Sequence, residues 1–277
     1  MTPGLDASVR YEYFEQSDLR SGTSSVDRAT LTFPNDNEIQ QKTVNRNTWL
    51  DLNYVVDSAW AVSVSIPYHD RFHTTIAAGD TDISTSHATG LGDVRLLARY
   101  QKFAAAQSYG VQFGLKLPTG SFNQNFADGP QAGELLDRGL QLGTGTTDLI
   151  LGASWFARPA ENLGTFVQAT LDQPLAARDG FIPSTSLTLS GGVRWLNTSR
   201  FTPQLQLNVK AEDREHGDQA DTPNSGGTIA YLSPGVTAEL ATHTSAFVFV
   251  QLPVYQHVNG LQLEPRWLLS VGVRWKL

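Results

Sequence analysis

Charged side chains recur at every second position of segments whose intervening positions are apolar. In residues 262–277 the odd positions are apolar, with Trp267 near one end and Trp275 near the other, and the even positions include Arg266 and Arg274. Successive side chains of a β-strand point to opposite faces, so the segment has one apolar face and one charged face. Charges gathered on one face can select ions or polar solutes in an aqueous interior.

The same charged parity in earlier segments defines the candidate pore-lining residues. They are Arg10, Glu12, Asp51, Asp93, Arg95, Arg99, Lys116, Asp148, Arg194, Lys210, Glu264, Arg266 and Arg274, and Asp172, Glu239 and Lys276 share their parity. Two interpretations remain open, and both can hold at once: an ion-pair network that compensates buried charge, or a selectivity surface. The aromatic residues on this face that could contact an organic solute are Trp49, Phe156, Phe166, Phe249 and Tyr255.

His69, Asp70 and His73 have the composition of a metal site. They lie together in the sequence HDRFH, at the start of a polar stretch. His and carboxylate side chains are common metal ligands, but this spacing also occurs by chance in polar loops. We therefore assign no metal and no cofactor. The chain has no Cys, which excludes thiol chemistry, disulfides and thiolate zinc sites.

Two further motifs suggest catalysis but do not meet its requirements. Residues 143–148, reading GTGTTD, resemble a phosphate-binding loop, but they precede a strand pattern and lack the Lys-Ser/Thr pair. His243 lies close to Ser245 but falls in a short turn, whereas a lipid-modifying enzyme would need Ser and His on the lipid-facing exterior. We therefore expect no enzyme activity.

The elements that must position the charged face are about twelve strands, many with runs of nine to eleven residues. Short and long connections alternate, which predicts a single-chain transmembrane antiparallel β-barrel with short periplasmic turns and long extracellular loops. We expect one barrel domain over residues 1–277. A tight turn is predicted at Asn197-Thr198-Ser199, and a strand break is predicted at Ser233-Pro234-Gly235 because proline disrupts pairing.

Aromatic residues on the apolar face fall near the predicted strand ends, as in the interfacial belts of a membrane barrel. The predicted periplasmic belt is Trp60, Tyr100, Tyr109, Trp155, Trp195, Phe201 and Trp275, and the predicted outer belt is Tyr11, Tyr13, Tyr68 and Trp267. The alternative is a soluble β-sandwich or lipocalin-like barrel. Its strands are usually five or six residues long, and its core would rarely place Trp so regularly at strand ends.

Composition limits the possible partners. The 277 residues contain no apolar run of eighteen, which excludes a helical membrane protein. The net charge of -7 argues against nucleic acid. We expect outer-membrane lipid and a small-molecule solute as partners, with a monomer or weak oligomer as the assembly. No signal-like apolar segment starts the sequence, so an exported chain would be the mature form.

Three segments in order form a composite motif: GLGDV at 90–94, KLPTG at 116–120 and LGTGTTD at 142–148. This order resembles the outer-membrane family of transporters of the meta-pathway of phenol degradation, with the likeness covering about Gly90 to Trp155. The resemblance implies a single-chain barrel often encoded near pathways for aromatic compounds. It supplies no binding residues.

Asp93 and Asp148 stand at equivalent strand starts, with Lys116 on the strand between them, so we expect a cross-strand charge cluster. The cluster could stabilise the wall or contact solute. The predicted function is a passive outer-membrane channel for small solutes, including hydrophobic or aromatic ones. The alternative is a non-conducting docking barrel whose extracellular loops bind a partner.

Overall fold

The computed structural model describes residues 3–196 and 200–277, and β-strands dominate it. In this described part the strands are β1 Gly4–Gly22, β2 Ser24–Ser25, β3 Ile39–Val55, β4 Trp60–Ile76, β5 Ile83–Leu91, β6 Val94–Ala104, β7 Gln107–Leu117, β8 Asp148–Ala160, β9 Leu163–Pro174, β10 Ser186–Trp195, β11 Phe201–Glu212, β12 Gly227–Ala241 and β13 Thr244–Lys276. Single 3₁₀ turns occur at Arg28–Thr30, Arg138–Leu140 and Thr222–Asn224. No helix within the described ranges is long and apolar enough to cross a membrane.

The strands close into an antiparallel barrel. Of the thirteen strands in the described ranges, β2 and β5 lie off the closed path, and β13 pairs with β1 to complete it. β13 has 33 residues. Its residues 244–258 pair with β12, and its residues 258–276 pair with β1. Since both pairings are antiparallel, β13 reverses direction near Gly260 and spans the barrel twice. The eleven barrel strands therefore make twelve passes through the membrane. The fold-class prediction is confirmed.

Connection lengths differ between the two ends of the barrel. Residues 56–59, 105–106, 161–162 and 242–243 form short turns at one end, and residues 118–147, 175–185 and 213–226 form long loops at the other. Outer-membrane barrels have short turns on the periplasmic side, which identifies the two ends. The predicted turn at Asn197-Thr198-Ser199 lies outside the described residues.

The apolar parity forms the exterior of the barrel. Valine and leucine side chains at alternate positions are exposed there, as a surface in contact with hydrocarbon requires. Six of the predicted periplasmic belt residues are also exposed, namely Trp60, Tyr100, Tyr109, Trp195, Phe201 and Trp275. At the other end Tyr68 and Trp267 are exposed, and the Trp267 ring centroid lies 5.6 Å from that of Tyr13.

The structure corrects three expectations about strand extent and parity. The sequence pattern predicts the first three strands over about 5–15, 46–56 and 60–69, with polar loops over 16–45 and 70–92. β1, β3 and β4 instead extend further toward the long-loop end, and β5 forms a hairpin with β4 inside the stretch 70–92. β12 is continuous through Ser233-Pro234-Gly235. Its pairing shifts instead at Ala230 and Tyr231, where Val254 of β13 is the extra residue. Val254 and Tyr255 are therefore both exposed, so the predicted inward position of Tyr255 is wrong.

Two small apolar clusters lie at the long-loop end. Phe126, Leu136 and Leu142 of the 118–147 loop pack against Ala88 of β5. Leu19, Ile39 and Leu263 form the second cluster, with Val26 and Leu31 of the first loop packed on it. These contacts hold the two loops against the barrel.

Candidate functional site

Polar and charged side chains fill the middle of the lumen. Arg10 forms an ion pair of 3.0 Å with Glu12, and its guanidinium lies 5.2 Å from the Trp49 ring centroid. Trp49 Nε1 donates a hydrogen bond of 3.1 Å to Glu12, and Ser65 donates one of 2.6 Å to Asp51. These hydrogen bonds and this ion pair fix the orientation of the charged side chains. Arg10, Glu12 and Asp51 line one cavity of about 370 Å³.

A larger cavity, of about 530 Å³, lies in the lumen near the periplasmic end. Arg194 and Arg274 line it together with the phenyl rings of Phe156, Phe166, Phe247 and Phe249. The Arg194 guanidinium lies 5.9 Å from the Phe156 ring centroid and 5.7 Å from that of Phe166. The predicted inward positions of Phe156, Phe166 and Phe249 are therefore confirmed.

The other predicted pore-lining residues lie at different heights along the barrel axis. Arg95 pairs with Asp172 at 3.5 Å, and Lys210 pairs with Glu212 at 2.7 Å. Arg99 lines the cavities toward the periplasmic mouth. Glu264 accepts a hydrogen bond of 3.3 Å from Gln256. Arg266 is exposed and binds Asp18 through two guanidinium nitrogens, beside an irregularity in the pairing of β1 with β13.

Asp93, Lys116 and Asp148 form one buried cluster, as the sequence predicted. Lys116 Nζ lies 3.7 Å from Asp93 and in direct contact with Asp148. Asp93 precedes β6 rather than lying on it, and its carboxylate accepts hydrogen bonds from the backbone N–H groups of Gly120 and Thr144, at 3.0 and 2.9 Å. Asp93 thus connects the wall to both ends of the 118–147 loop.

The 118–147 loop crosses the extracellular mouth of the barrel. Arg71 of β4 donates hydrogen bonds of 3.1 Å to the carbonyl oxygens of Gly139 and Gln141. Arg138 donates one of 2.7 Å to Thr144 and lies over the Phe122 ring at 4.4 Å. Asp137 of this loop shares a cavity of about 240 Å³ with residues from β1, β13 and the 213–226 loop. The loop therefore narrows the entrance.

Carboxylates from three loops meet at this entrance. Burial, together with the charge of nearby Asp137, raises the pKa of Glu38 to about 7. Burial and the neighbouring charge of Asp221 raise the pKa of Glu215 to about 7. The pKa of Asp137 is raised by burial and by Asp221. The acidic entrance therefore gains charge near neutral pH.

The residues of the HDRFH sequence take separate partners. His69 Nδ1 lies 2.7 Å from Asn47 Oδ1, and His73 Nδ1 lies 2.8 Å from Thr43 Oγ1. Asp70 instead binds His87 at 2.8 Å. Among the described residues no group of three or more His, Asp or Glu side chains could hold a metal ion.

Sequence reasoning missed residues that lie where periodicity fades. Arg71 and Glu38 lie in stretches interpreted as polar loops, although Arg71 holds the constricting loop. Phe247 follows a short turn and was not identified, yet it shares the parity of Phe249 and lines the same cavity. Extending the alternation of β13 by one step toward its start would have found Phe247.

Neighbouring cavities in the periplasmic half of the lumen share wall residues. Arg274 lines cavities of about 530, 370 and 330 Å³. Arg99 lines the last of these and a further cavity of about 500 Å³ that reaches the chain termini at the periplasmic mouth. The lumen below the constricting loop is therefore not filled by side chains, which is expected of barrels between eight and sixteen strands.

Comparison with known proteins identifies the fold. No protein-family model matches the sequence, and no curated protein matches it. An outer-membrane channel from Pseudomonas putida is similar with a TM-score of 0.77 and 12% identity, over 100% of this chain and 96% of that one. The NanC porin has a TM-score of 0.52 and 12% identity, over 99% and 100% of the two chains. The translocator domain of the autotransporter NalP from Neisseria meningitidis has a TM-score of 0.52 and 10% identity, over 100% and 90%.

The closed sheet, the apolar exterior and the aromatic belts together define an outer-membrane β-barrel protein. This class and the likeness in fold locate the chain in the outer membrane.

Proposed function

We propose that the protein is a passive channel that lets small solutes, including hydrophobic or aromatic ones, diffuse across the outer membrane. The observation that carries this proposal is the series of adjoining cavities below the 118–147 loop, which share Arg274 and Arg99 as wall residues. A solute would enter through the narrowed acidic mouth and pass the charged lumen without covalent chemistry.

The pore-lining role belongs to the residues whose side chains face these cavities. Arg10, Glu12, Asp51, Arg99, Arg194 and Arg274 are the strongest candidates. Asp93, Lys116 and Asp148 have a structural role in this proposal, because their charges are buried against one another and against the loop. The resemblance to transporters of the phenol-degradation meta-pathway, and the phenyl rings of the lumen, support organic solutes.

Conductance across planar lipid bilayers tests the proposal. Purified, folded barrel should produce small, stable current steps, and liposomes that contain it should swell in small solutes faster than in large ones. A variant lacking residues 123–140 should conduct more, because the constricting loop is removed. If well-folded protein, with or without the loop, produces no current and no swelling, the docking barrel is the better assignment. Its partner surface would then include the acidic stretch Asp213–Asp221 and the 23–38 loop.

A further inference from the structure

The periplasmic half of the lumen combines guanidinium groups with phenyl rings. Its 530 Å³ cavity is lined by the guanidinium groups of Arg194 and Arg274, by four phenyl rings, and by Gln, Ser and Thr side chains. A volume of this size is in the range of small-molecule pockets.

The two guanidinium groups lack direct carboxylate partners. Within the described residues neither Arg194 nor Arg274 forms an ion pair with a carboxylate. Glu239 is the acidic residue on the wall of this cavity, and Arg274 also faces Glu12 and Asp51 across the adjoining cavities. Arg194 Nε is buried without a hydrogen-bond partner. A planar guanidinium binds carboxylate oxygens in pairs, so an anion in the cavity would find charged donors on both side chains.

The phenyl rings lie against the wall and leave the cavity open. Phe166 covers Gly192 of the next strand, and an added Cβ at Gly192 would lie 2.8 Å from its ring. Phe249 covers Gly235, and Phe247 covers Gly272, at 2.1 and 2.5 Å from such a Cβ. Glycine at these wall positions lets the rings pack flush against the strands. The cavity surface therefore offers phenyl rings to an apolar body beside the two guanidinium groups.

We infer that this cavity is a binding subsite for a small organic anion with an apolar body, of which an arylcarboxylate is the simplest type. The carboxylate pairs with Arg194 and Arg274, and the apolar body packs on the phenyl rings. The inference deepens the proposed channel function by naming the chemical class of solute, and it rests on that function only for the claim that the bound solute crosses the membrane.

Direct binding to the folded barrel in detergent tests the subsite without requiring conduction. Titration calorimetry in 0.1 M NaCl would compare benzoate with benzyl alcohol, which lacks the charge, and acetate, which lacks the ring. We expect benzoate to bind at least about tenfold more tightly than either, since only benzoate uses both features. Arg194→Gln should weaken benzoate binding on the order of tenfold. Arg178→Gln, which changes an exposed Arg of the 175–185 loop outside this cavity, should leave benzoate binding unchanged.

Phe249→Leu provides a second test that removes a ring but keeps an apolar side chain and the charges, and it should weaken benzoate binding while leaving acetate binding unchanged. Equal affinity for the three probes, or unchanged benzoate affinity in both Arg194→Gln and Phe249→Leu, would overturn the subsite. Benzoate binding by a barrel that conducts no current would support the subsite and overturn the channel proposal. Conduction without selective binding would do the reverse.

Discussion

At the scale of single residues, Lys116 balances two buried carboxylates. It lies 3.7 Å from Asp93 and contacts Asp148, and all three side chains are almost fully buried. Lys116→Met keeps most of the volume but leaves both carboxylates without a counter-charge, and breaking a buried ion pair in this way costs about 3–5 kcal/mol. We expect this loss in the free energy of unfolding, measured by urea titration of the barrel in lipid vesicles.

Lys210→Met is the matched control at this scale. Lys210 pairs with Glu212 at 2.7 Å, but both side chains are about 40% exposed, and exposed pairs contribute less than about 1 kcal/mol. If Lys116→Met and Lys210→Met destabilise the barrel equally, the buried cluster has no special structural role.

At the scale of elements, sequence periodicity predicted strands well where one face meets lipid and the other meets the lumen. The odd positions of residues 267–277 and the belt of Trp60, Trp195 and Trp275 lie on the exterior as expected. Where the strands extend beyond the hydrocarbon core of the membrane on the extracellular side, both of their faces are polar. The alternation of apolar and polar residues therefore disappears there, although the backbones of neighbouring strands still pair. This is why β5 and the upper parts of β3 and β4 were interpreted as loops.

A strict two-residue period in the sequence also fails to predict where bulges occur and how loops pack. Val254 adds one residue to β13 and reverses the parity of Tyr255, and Pro253 beside it is the residue that could have indicated the bulge. The cluster of Asp93, Lys116 and Asp148 could be predicted because all three lie at strand ends next to one another. The acidic entrance could not, because Glu38, Asp137 and Glu215 come together only through the folding of three loops.

The pairing of β12 with β13 places the Phe249 ring over Gly235, so a substitution at Gly235 should move that ring. Gly235 lies opposite Phe249, and a methyl group at Gly235 would lie 2.1 Å from the ring. In Gly235→Ala the ring must therefore turn into the lumen. We expect single-channel conductance to fall, with a loss of stability of about 1–3 kcal/mol, as for other overpacked sites.

Gly191→Ala is the control for this element. Its added methyl group would make only ordinary contacts, the nearest at 3.6 Å from the Phe166 carbonyl oxygen. Conductance and stability should stay close to those of the unmodified barrel. A Gly235→Ala variant that conducts normally would show that Phe249 does not limit the lumen.

At the scale of the whole molecule, charge is separated along the barrel axis. The extracellular entrance collects Glu38, Asp137 and Glu215 from three loops, whereas Arg194 and Arg274 dominate the cavity near the periplasmic end. An acidic entrance concentrates cations, and a basic interior favours anions. Ion selectivity therefore depends on how much of the acidic charge is present.

The raised pKa values of Glu38 and Glu215, about 7 instead of 4.5, set the direction of the pH effect. Below about pH 4.5 these carboxyls are neutral in the folded and unfolded chains alike. As the pH rises toward 7 the unfolded chain releases its protons first, so the stability contributed by the packed loops falls. Above pH 7 both side chains are charged, and the entrance is more negative and less tightly packed.

We therefore expect the permeability ratio of K⁺ to Cl⁻ to rise between pH 5 and pH 8, as measured from reversal potentials across a KCl gradient in planar bilayers. The rise should be steepest near pH 7 and should weaken above 1 M KCl, where charges are screened within about 3 Å. Glu38→Gln combined with Glu215→Gln should flatten it, whereas Glu161→Gln, at an exposed periplasmic turn, should not. If the permeability ratio depends on pH in the same way after the double substitution, the charges inside the lumen, and not those at the entrance, set the ion selectivity.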